Sequence, residues 1–113
     1  MRRNSLSKEK EIIRALKGRP FFSKYLTLKA VKNNENKEYR YTVIVSKKNL
    51  KLAVDRNKFK RRARSIVAKH AKNIGKQWDF VIIAKKGVEN ADFSSIQDQI
   101  TAGLKELKIL KND

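Results

Sequence analysis

One run of apolar residues limits the folds open to this chain: Trp-Asp-Phe-Val-Ile-Ile-Ala at residues 78–84. A strand that is apolar at successive positions needs cover on both faces, which favours the centre of a sheet. The chain has 113 residues, which is enough for one ordinary domain and too few for two. We therefore expect a single domain over residues 1–113, built around a sheet with this strand inside it.

Residues 53–70, which precede this strand, follow the 3.6-residue period of an amphipathic helix that we expect to begin between Leu52 and Arg56. Its apolar side is formed by Phe59, Ala63, Ile66, Val67 and His70. An adjoining side, called the basic row below, is formed by Asn57, Lys60, Arg61 and Arg64. A helix docked by its apolar side presents the row at one-turn intervals, about 5 to 6 Å apart, close to the spacing of successive phosphates on a nucleic-acid strand.

Two strand-like segments come before the basic helix. Residues 21–32 and 39–46 alternate between apolar and polar positions, and residues 33–38 between them are rich in asparagine and charge. This pattern predicts an antiparallel hairpin with a longer loop. On the first strand, the side expected to be buried carries Phe22, Leu26, Leu28 and Ala30.

A helix is expected at each end of the chain. The first runs from a Ser7 cap to about Lys17, and the last runs from Asp92 to about Lys111 with apolar residues at helical spacing. The element order is helix, antiparallel hairpin, basic helix, central strand and C-terminal helix. We predict an α+β fold, a two-layer sandwich in which helices cover one face of the sheet.

The charge of the chain is strongly one-sided. It has 29 Lys and Arg against 11 Asp and Glu, a formal net charge of +18. Between residues 47 and 72 there are eleven basic residues and one acidic residue. A domain with this charge predicts a polyanionic partner. Arg56, Arg61 and Arg64 are stronger candidates for phosphate contacts than the lysines, because a guanidinium binds phosphate through two donors. Lys58 and Arg62 are expected to be solvated.

The sequence offers no recognisable active site. Cysteine is absent, which excludes disulfides and thiolate metal sites. His70 is the one histidine and lies on the apolar side of the basic helix, which favours a core position over acid–base catalysis. The carboxylates lack motif spacing, and we interpret Asp79 as a turn or cap residue. Residues 1–6 are basic but no apolar run follows them, so we expect no signal peptide, no membrane anchor and a cytoplasmic protein.

Several motifs resemble the protein component of bacterial ribonuclease P. The pattern R-N-x-apolar-K-R-x-x-R is matched in order by Arg56, Asn57, Phe59, Lys60, Arg61 and Arg64. Residues 79–85, Asp-Phe-Val-Ile-Ile-Ala-Lys, are similar to the strand motif of that family, and Arg40 with residues 45–48 resembles its second strand. The resemblance covers nearly the whole chain.

The resemblance implies a four-stranded sheet, with the basic helix in a left-handed crossover between parallel strands. It implies a non-catalytic protein subunit that binds a catalytic RNA subunit and the 5′ leader of precursor tRNA. The RNA would use Mg²⁺ for the endonucleolytic removal of the leader. No metal site, small-molecule substrate or membrane is implied for the protein, and the oligomeric state is left open. The implied RNA-binding residues are Lys47, Lys48, Arg56, Asn57, Lys60, Arg61 and Arg64.

The same resemblance implies a leader-binding cleft between the basic helix and the open face of the sheet. The residues that fit this cleft are Ile12, Leu16, Tyr25, Thr27 and Lys29. Lys29 stands where the family commonly has an aromatic residue, and Thr42 stands where it commonly has glycine. Stacking on an aromatic ring contributes about 1 to 3 kcal/mol per base, so leader contacts here are expected to depend more on charge and on Tyr25.

Two other functions compete with this interpretation. A ribosomal or RNA-chaperone protein of similar charge would bind RNA without preferring a 5′ leader. A self-contained nuclease would cut RNA without an RNA subunit, although no site for that chemistry is visible in the sequence. Comparing precursor with mature tRNA separates the first alternative from a ribonuclease P subunit, and cleavage by protein alone would support the second.

Overall fold

The computed structural model describes residues 4–111 as four strands and three helices around one sheet. The strands are β1 (Arg19–Phe22), β2 (Leu26–Lys32), β3 (Arg40–Ile44) and β4 (Trp78–Ala84). The helices are α1 (Glu9–Leu16), α2 (Ala53–Lys69) and α3 (Phe93–Glu106). The predicted α+β class is confirmed, and so is the basic helix, which begins at Ala53 after an extended Leu52.

The apolar run forms the central strand, as predicted. The strand order is β1-β2-β4-β3, and six of the seven residues of β4 are buried. β4 is antiparallel to β2, with Leu28 opposite Ile82, and parallel to β3, with Ile44 opposite Ile83. Parallel neighbours need a crossover connection, and α2 supplies it between β3 and β4.

The predicted hairpin between residues 21–32 and 39–46 is wrong. The chain turns at residues 23–25, so β1 pairs with β2, and β4 lies between β2 and β3. In the turn, Ser23 Oγ donates to the carbonyl of Leu26 at 2.6 Å. The physical reason is that β4 is apolar on both faces and is therefore buried inside the sheet, where a strand at each edge satisfies its backbone hydrogen-bonding groups.

The expectation that only one face of the sheet is covered is also wrong. The larger core lies between the sheet and both α2 and α3, and it includes Phe59, Phe80 and Ile100. A second, smaller core lies on the opposite face, where the fully buried Ala15 of α1 packs with Val81. Because β4 carries apolar residues on both faces, α1 can bury its own apolar stripe there.

Both terminal helices differ at their ends from the prediction. α1 begins after Lys8 without a side-chain cap, so Ser7 does not cap it. Asp92 does cap α3, and the hydrogen bond that its carboxylate accepts from the Ser95 N–H lowers the pKa of Asp92. α3 ends at Glu106, because Lys108 takes a left-handed conformation with φ 62°. Leu110 then folds back and bridges to Ile74.

Candidate nucleic-acid interface

The basic row lies along one side of α2, which is fixed to the larger core by its other side. The buried residues of the helix are Phe59, Ala63, Ile66 and Val67. Asn57 and Arg61 are exposed, and Lys60 and Arg64 are half-buried. None of the four side chains makes a hydrogen bond or ion pair with any residue in the range 4–111. The cations of the row are therefore not neutralised by the described part of the protein.

Basic residues on the opposite side of α2 are used differently. Arg62 donates to the carbonyl of Ala91 at 3.3 Å and lies 6.0 Å from the ring centre of Phe93. Lys69 lies 5.1 Å from the same ring and donates to Gln97 at 3.0 Å. These two cations hold α2 against α3, so the expectation that Arg62 is only solvated is wrong. Lys58, in contrast, is exposed.

The loop between β3 and α2 carries further candidate residues. Lys47 and Lys48 are exposed in this loop, and neither pairs with a carboxylate among residues 4–111. Arg56 instead donates through Nη1 to the carbonyls of Leu50 and Lys51, at 2.8 and 2.9 Å. Arg56 therefore fixes the conformation of the loop through Nη1. The other N–H groups of its guanidinium make no hydrogen bond with residues 4–111.

Four of the five predicted cleft residues lie on the sheet face that α1 partly covers. Ile12 and Leu16 are half-buried on α1 and pack on the smaller core. Thr27 is buried and Lys29 is half-buried, and both alternate with the core-facing residues of β2. Tyr25 is separated from them, because it lies in the turn before β2 and packs against the larger core. Its backbone N–H donates to Gln99 of α3 at 2.9 Å.

The structure places the basic row and this cleft face on opposite sides of the sheet. β3 ends at Ile44, which is opposite Ile83 of β4. The loop with Lys47 and Lys48 starts there and leads directly into α2.

Phe22 is an exposed aromatic residue that the sequence pattern assigned to the wrong side. It is 66% exposed and lies opposite Thr27 in the β1–β2 pair, so it belongs to the cleft face. Lys85 Nζ is 5.9 Å from the centre of its ring and also donates to the Ser23 carbonyl. The open end of the cleft face thus has an aromatic ring with a cation beside it.

A charged network fixes α1 over the other end of the cleft face. The guanidinium of Arg40 binds both oxygens of Asp79, at 3.1 and 2.9 Å, and both oxygens of Glu11 at 3.0 Å. Asn36 donates to Asp79 at 2.6 Å. The hydrogen bond to Asp79 is the largest cause of a raised pKa at Arg40. Asp79 is 1% exposed and lies within β4, so its interpretation as a turn or cap residue is wrong.

His70 is half-buried at the end of α2. Its Nε2 lies 3.0 Å from the hydroxyl of Thr101 on α3. Burial lowers the pKa of His70, and the nearby Lys105 and Lys69 lower it further. Burial and the two lysines therefore all disfavour the positively charged form of the imidazole.

This lowered pKa predicts that stability depends on pH through His70. The unfolded state takes up a proton near the ordinary pKa of about 6.5, whereas the folded state does so only at lower pH. The contribution is fully present above about pH 6.5 and is lost as the pH falls towards the folded pKa. Urea unfolding at pH 7.5 and 5.5 should show a smaller loss for His70→Gln than for the unchanged protein. If both proteins lose the same unfolding free energy between pH 7.5 and 5.5, His70 is not the source of the pH dependence.

The described residues do not suggest a protein metal centre or a membrane segment. No three His, Asp or Glu side chains within residues 4–111 are grouped so that they could hold a metal ion. In the same range, none of the helices has both the length and the apolar character needed to cross a bilayer.

Comparisons with known proteins agree with the fold and with the motif. The family model described as Ribonuclease P matches residues 1–108. A ribonuclease P protein component from Streptococcus pneumoniae serotype 4 is 32% identical over 113 residues, covering 98% of this chain and 90% of that protein. A Staphylococcus aureus RNase P protein structure is 26% identical with a TM-score of 0.86, covering 96% of this chain and 99% of that one.

A more distant solved structure shares the fold. The RNase P protein from Thermotoga maritima has a TM-score of 0.74 at 24% identity, and the match covers 96% of each chain. At this level of identity the likeness concerns the arrangement of the helices and strands alone.

Proposed function

This chain belongs to the ribonuclease P protein family, and we propose that it works as the protein subunit of a ribonuclease P holoenzyme in the cytoplasm. In this role it binds the catalytic RNA subunit and the 5′ leader of precursor tRNA, and it assists the Mg²⁺-dependent removal of that leader. The observation that carries the proposal is the basic row: four adjoining polar side chains without partners among residues 4–111, on a helix with the motif of the family.

The two surfaces suit two different parts of the RNA. The basic row and the loop lysines present donors to phosphates, and such contacts supply affinity without reading sequence. The cleft face combines apolar side chains, Lys29 and the exposed ring of Phe22, which is the kind of surface on which single-stranded nucleotides stack. We therefore assign the row and Lys47 and Lys48 mainly to the RNA subunit, and the cleft face to the leader.

The chemistry is assigned to the RNA in this proposal. Asp79 is saturated by Arg40 and Asn36, and His70 is directed to Thr101, so neither points to a role in hydrolysis. The Mg²⁺ ions that activate water would be held by the RNA subunit, while the protein neutralises the phosphates brought together in the complex.

Reconstitution tests the proposal directly. The purified protein should cleave no precursor tRNA by itself, and it should lower the Mg²⁺ concentration that a bacterial ribonuclease P RNA needs for cleavage. A folded protein that leaves the Mg²⁺ requirement unchanged would contradict the proposal. With the RNA subunit present, precursor tRNA should bind more tightly than mature tRNA, and equal binding would favour the RNA-chaperone alternative.

Phe22 gives a prediction that is specific to the cleft face. Phe22→Leu should weaken the binding of precursor tRNA to the holoenzyme about tenfold, because a stacked base contributes about 1 to 3 kcal/mol. Since Phe22 is mostly exposed, little folding stability should be lost. The measurement is the Kd of precursor tRNA compared with that of mature tRNA, which should not change.

Phe22→Tyr is the matched control for this prediction. It keeps a flat ring at the same place and should keep most of the affinity for the leader. If Phe22→Leu and the unchanged protein bind precursor tRNA equally, Phe22 does not stack on the leader.

A further inference from the structure

A cavity of about 290 Å³ lies between β3 and α2, away from the cleft face. Its lining comes from three parts of the chain, and it consists of Asn4, Ser5, Tyr39, Tyr41, Thr42, Val43, Arg64 and Ala68. The volume is near the lower end of the range of about 300 to 1,000 Å³ that is usual for small-molecule sites. The cavity is therefore suited to one ring system rather than to an extended ligand.

One wall of the cavity is held by backbone hydrogen bonds. Residues 4–6 run beside the outer edge of β3, where Tyr41 donates to the carbonyl of Asn4 and accepts from the N–H of Leu6, both at 2.9 Å. The Asn4 side chain donates to the carbonyl of Tyr39 at 2.8 Å, and Leu6 is 1% exposed. These hydrogen bonds fix residues 4–6 in place as one wall of the cavity.

Aromatic rings form the floor. Tyr41 is stacked on Phe80, with 5.2 Å between ring centres and 11° between planes. Tyr39 lies 6.1 Å from Tyr41 at 27°. Burial, with a smaller contribution from Glu38, raises the pKa of Tyr39. A further flat ring that enters the cavity can lie against an existing aromatic stack.

The opposite wall is the end of the basic row. Arg64 and Ala68 are one helical turn apart on α2 and both line the cavity. Ala68 is exposed and small, which leaves the entrance open. Arg64 has no partner among residues 4–111, and none of the eight lining residues is acidic. The electrostatic environment therefore favours an anionic ligand with a flat, neutral ring.

We propose that this cavity binds the base of one unpaired nucleotide. The RNA backbone lies along the basic row, and Arg64 at the end of the row binds the phosphate of that nucleotide. The inference rests on the proposed function, because the nucleotide would come from the RNA subunit or from precursor tRNA. The rings of Tyr39 and Tyr41, which line the cavity and pack on the buried Phe80, receive the base. Asn4 and Ser5 lie at its edge.

Photocrosslinking can locate such a nucleotide, because the chain has no cysteine. Ala68→Cys introduces a single thiol at the entrance, which is labelled with an azidophenacyl group. Illumination is carried out with the RNA subunit alone and with the RNA subunit plus precursor tRNA. Crosslinks confined to one unpaired nucleotide are expected, and the two arms identify its source. Crosslinks that are spread along a duplex would overturn the proposal. So would the absence of crosslinks from Ala68→Cys when Lys60→Cys, labelled in the same way, does crosslink.

Filling the cavity gives an independent test. Ala68→Phe should weaken binding to the RNA that holds the nucleotide about tenfold or more, whereas Ala102→Phe, at an exposed position on α3, should not. Circular dichroism and urea unfolding confirm that both variants fold. Equal affinity for Ala68→Phe and Ala102→Phe would overturn the cavity proposal. The unchanged protein, measured in parallel, reports separately on the proposed function through its effect on the Mg²⁺ requirement.

Discussion

Replacing Lys60 and Arg61 together by alanine should weaken binding to the RNA subunit about 25- to 60-fold at 0.1 M monovalent salt. Each phosphate contact contributes about 0.7 to 0.9 to the slope of log K against log salt, through the release of counterions. Removing two contacts should therefore reduce that slope by about 1.4 to 1.8. Both side chains lie on the basic row without partners among residues 4–111, so their removal should not affect folding.

The control for this prediction has the same net charge. Lys72→Ala with Lys76→Ala removes two exposed lysines beyond the end of α2, and it should change the affinity and the salt slope much less. If both double variants lose the same affinity for the RNA subunit, binding depends on the overall positive charge of the protein and not on the position of the basic row. Arg56→Ala is less suitable for this purpose, because Arg56 also holds the loop carbonyls of Leu50 and Lys51.

The sequence predicted the elements whose signals are local. The apolar run at residues 78–84 required two covered faces, and the structure buries it at the centre of the sheet. The period of residues 53–70 predicted the correct buried side of α2. Strand pairing was predicted less well, because the choice between a β2–β3 hairpin and the insertion of β4 depends on contacts between residues far apart in the sequence.

Errors on the cleft face have one local origin. The alternation across residues 21–32 predicts one continuous strand, with Phe22 on the same side as Leu26. The turn at residues 23–25 interrupts the strand and places Phe22 opposite Thr27. Phe22 is consequently exposed, and Tyr25 packs against the larger core instead of lying on the cleft face. Ser23 and Lys24 contain the only turn signal in this stretch, and it is weak.

The residue pattern also could not identify the partner of Asp79. Arg40 is 39 positions away in the chain, and no spacing rule connects the two. Their pairing makes physical sense only in the sheet, where they lie opposite each other in the β3–β4 pair. Through Glu11, the same guanidinium reaches α1. Arg40 of β3 thus joins β4 and α1.

Arg40→Met should lower the free energy of unfolding by about 3 to 5 kcal/mol, the usual cost of leaving a buried charge without its partner. Asp79 is 1% exposed, and after the change it would retain Asn36 at 2.6 Å and a long contact of 3.5 Å from Asn33. Methionine replaces much of the apolar part of the arginine side chain, so the loss should come from the charge. Urea denaturation at neutral pH measures it.

Two further variants separate the inner ion pair from the outer one. Arg40→Met combined with Asp79→Asn should recover much of the stability, because no buried charge remains. Glu11→Gln removes only a partly exposed partner and should cost about 1 kcal/mol or less. A small loss for Arg40→Met by itself would mean that water reaches Asp79 when the guanidinium is removed. A large loss of unfolding free energy for Glu11→Gln would instead show that the ion pair between α1 and Arg40 makes the larger contribution to stability.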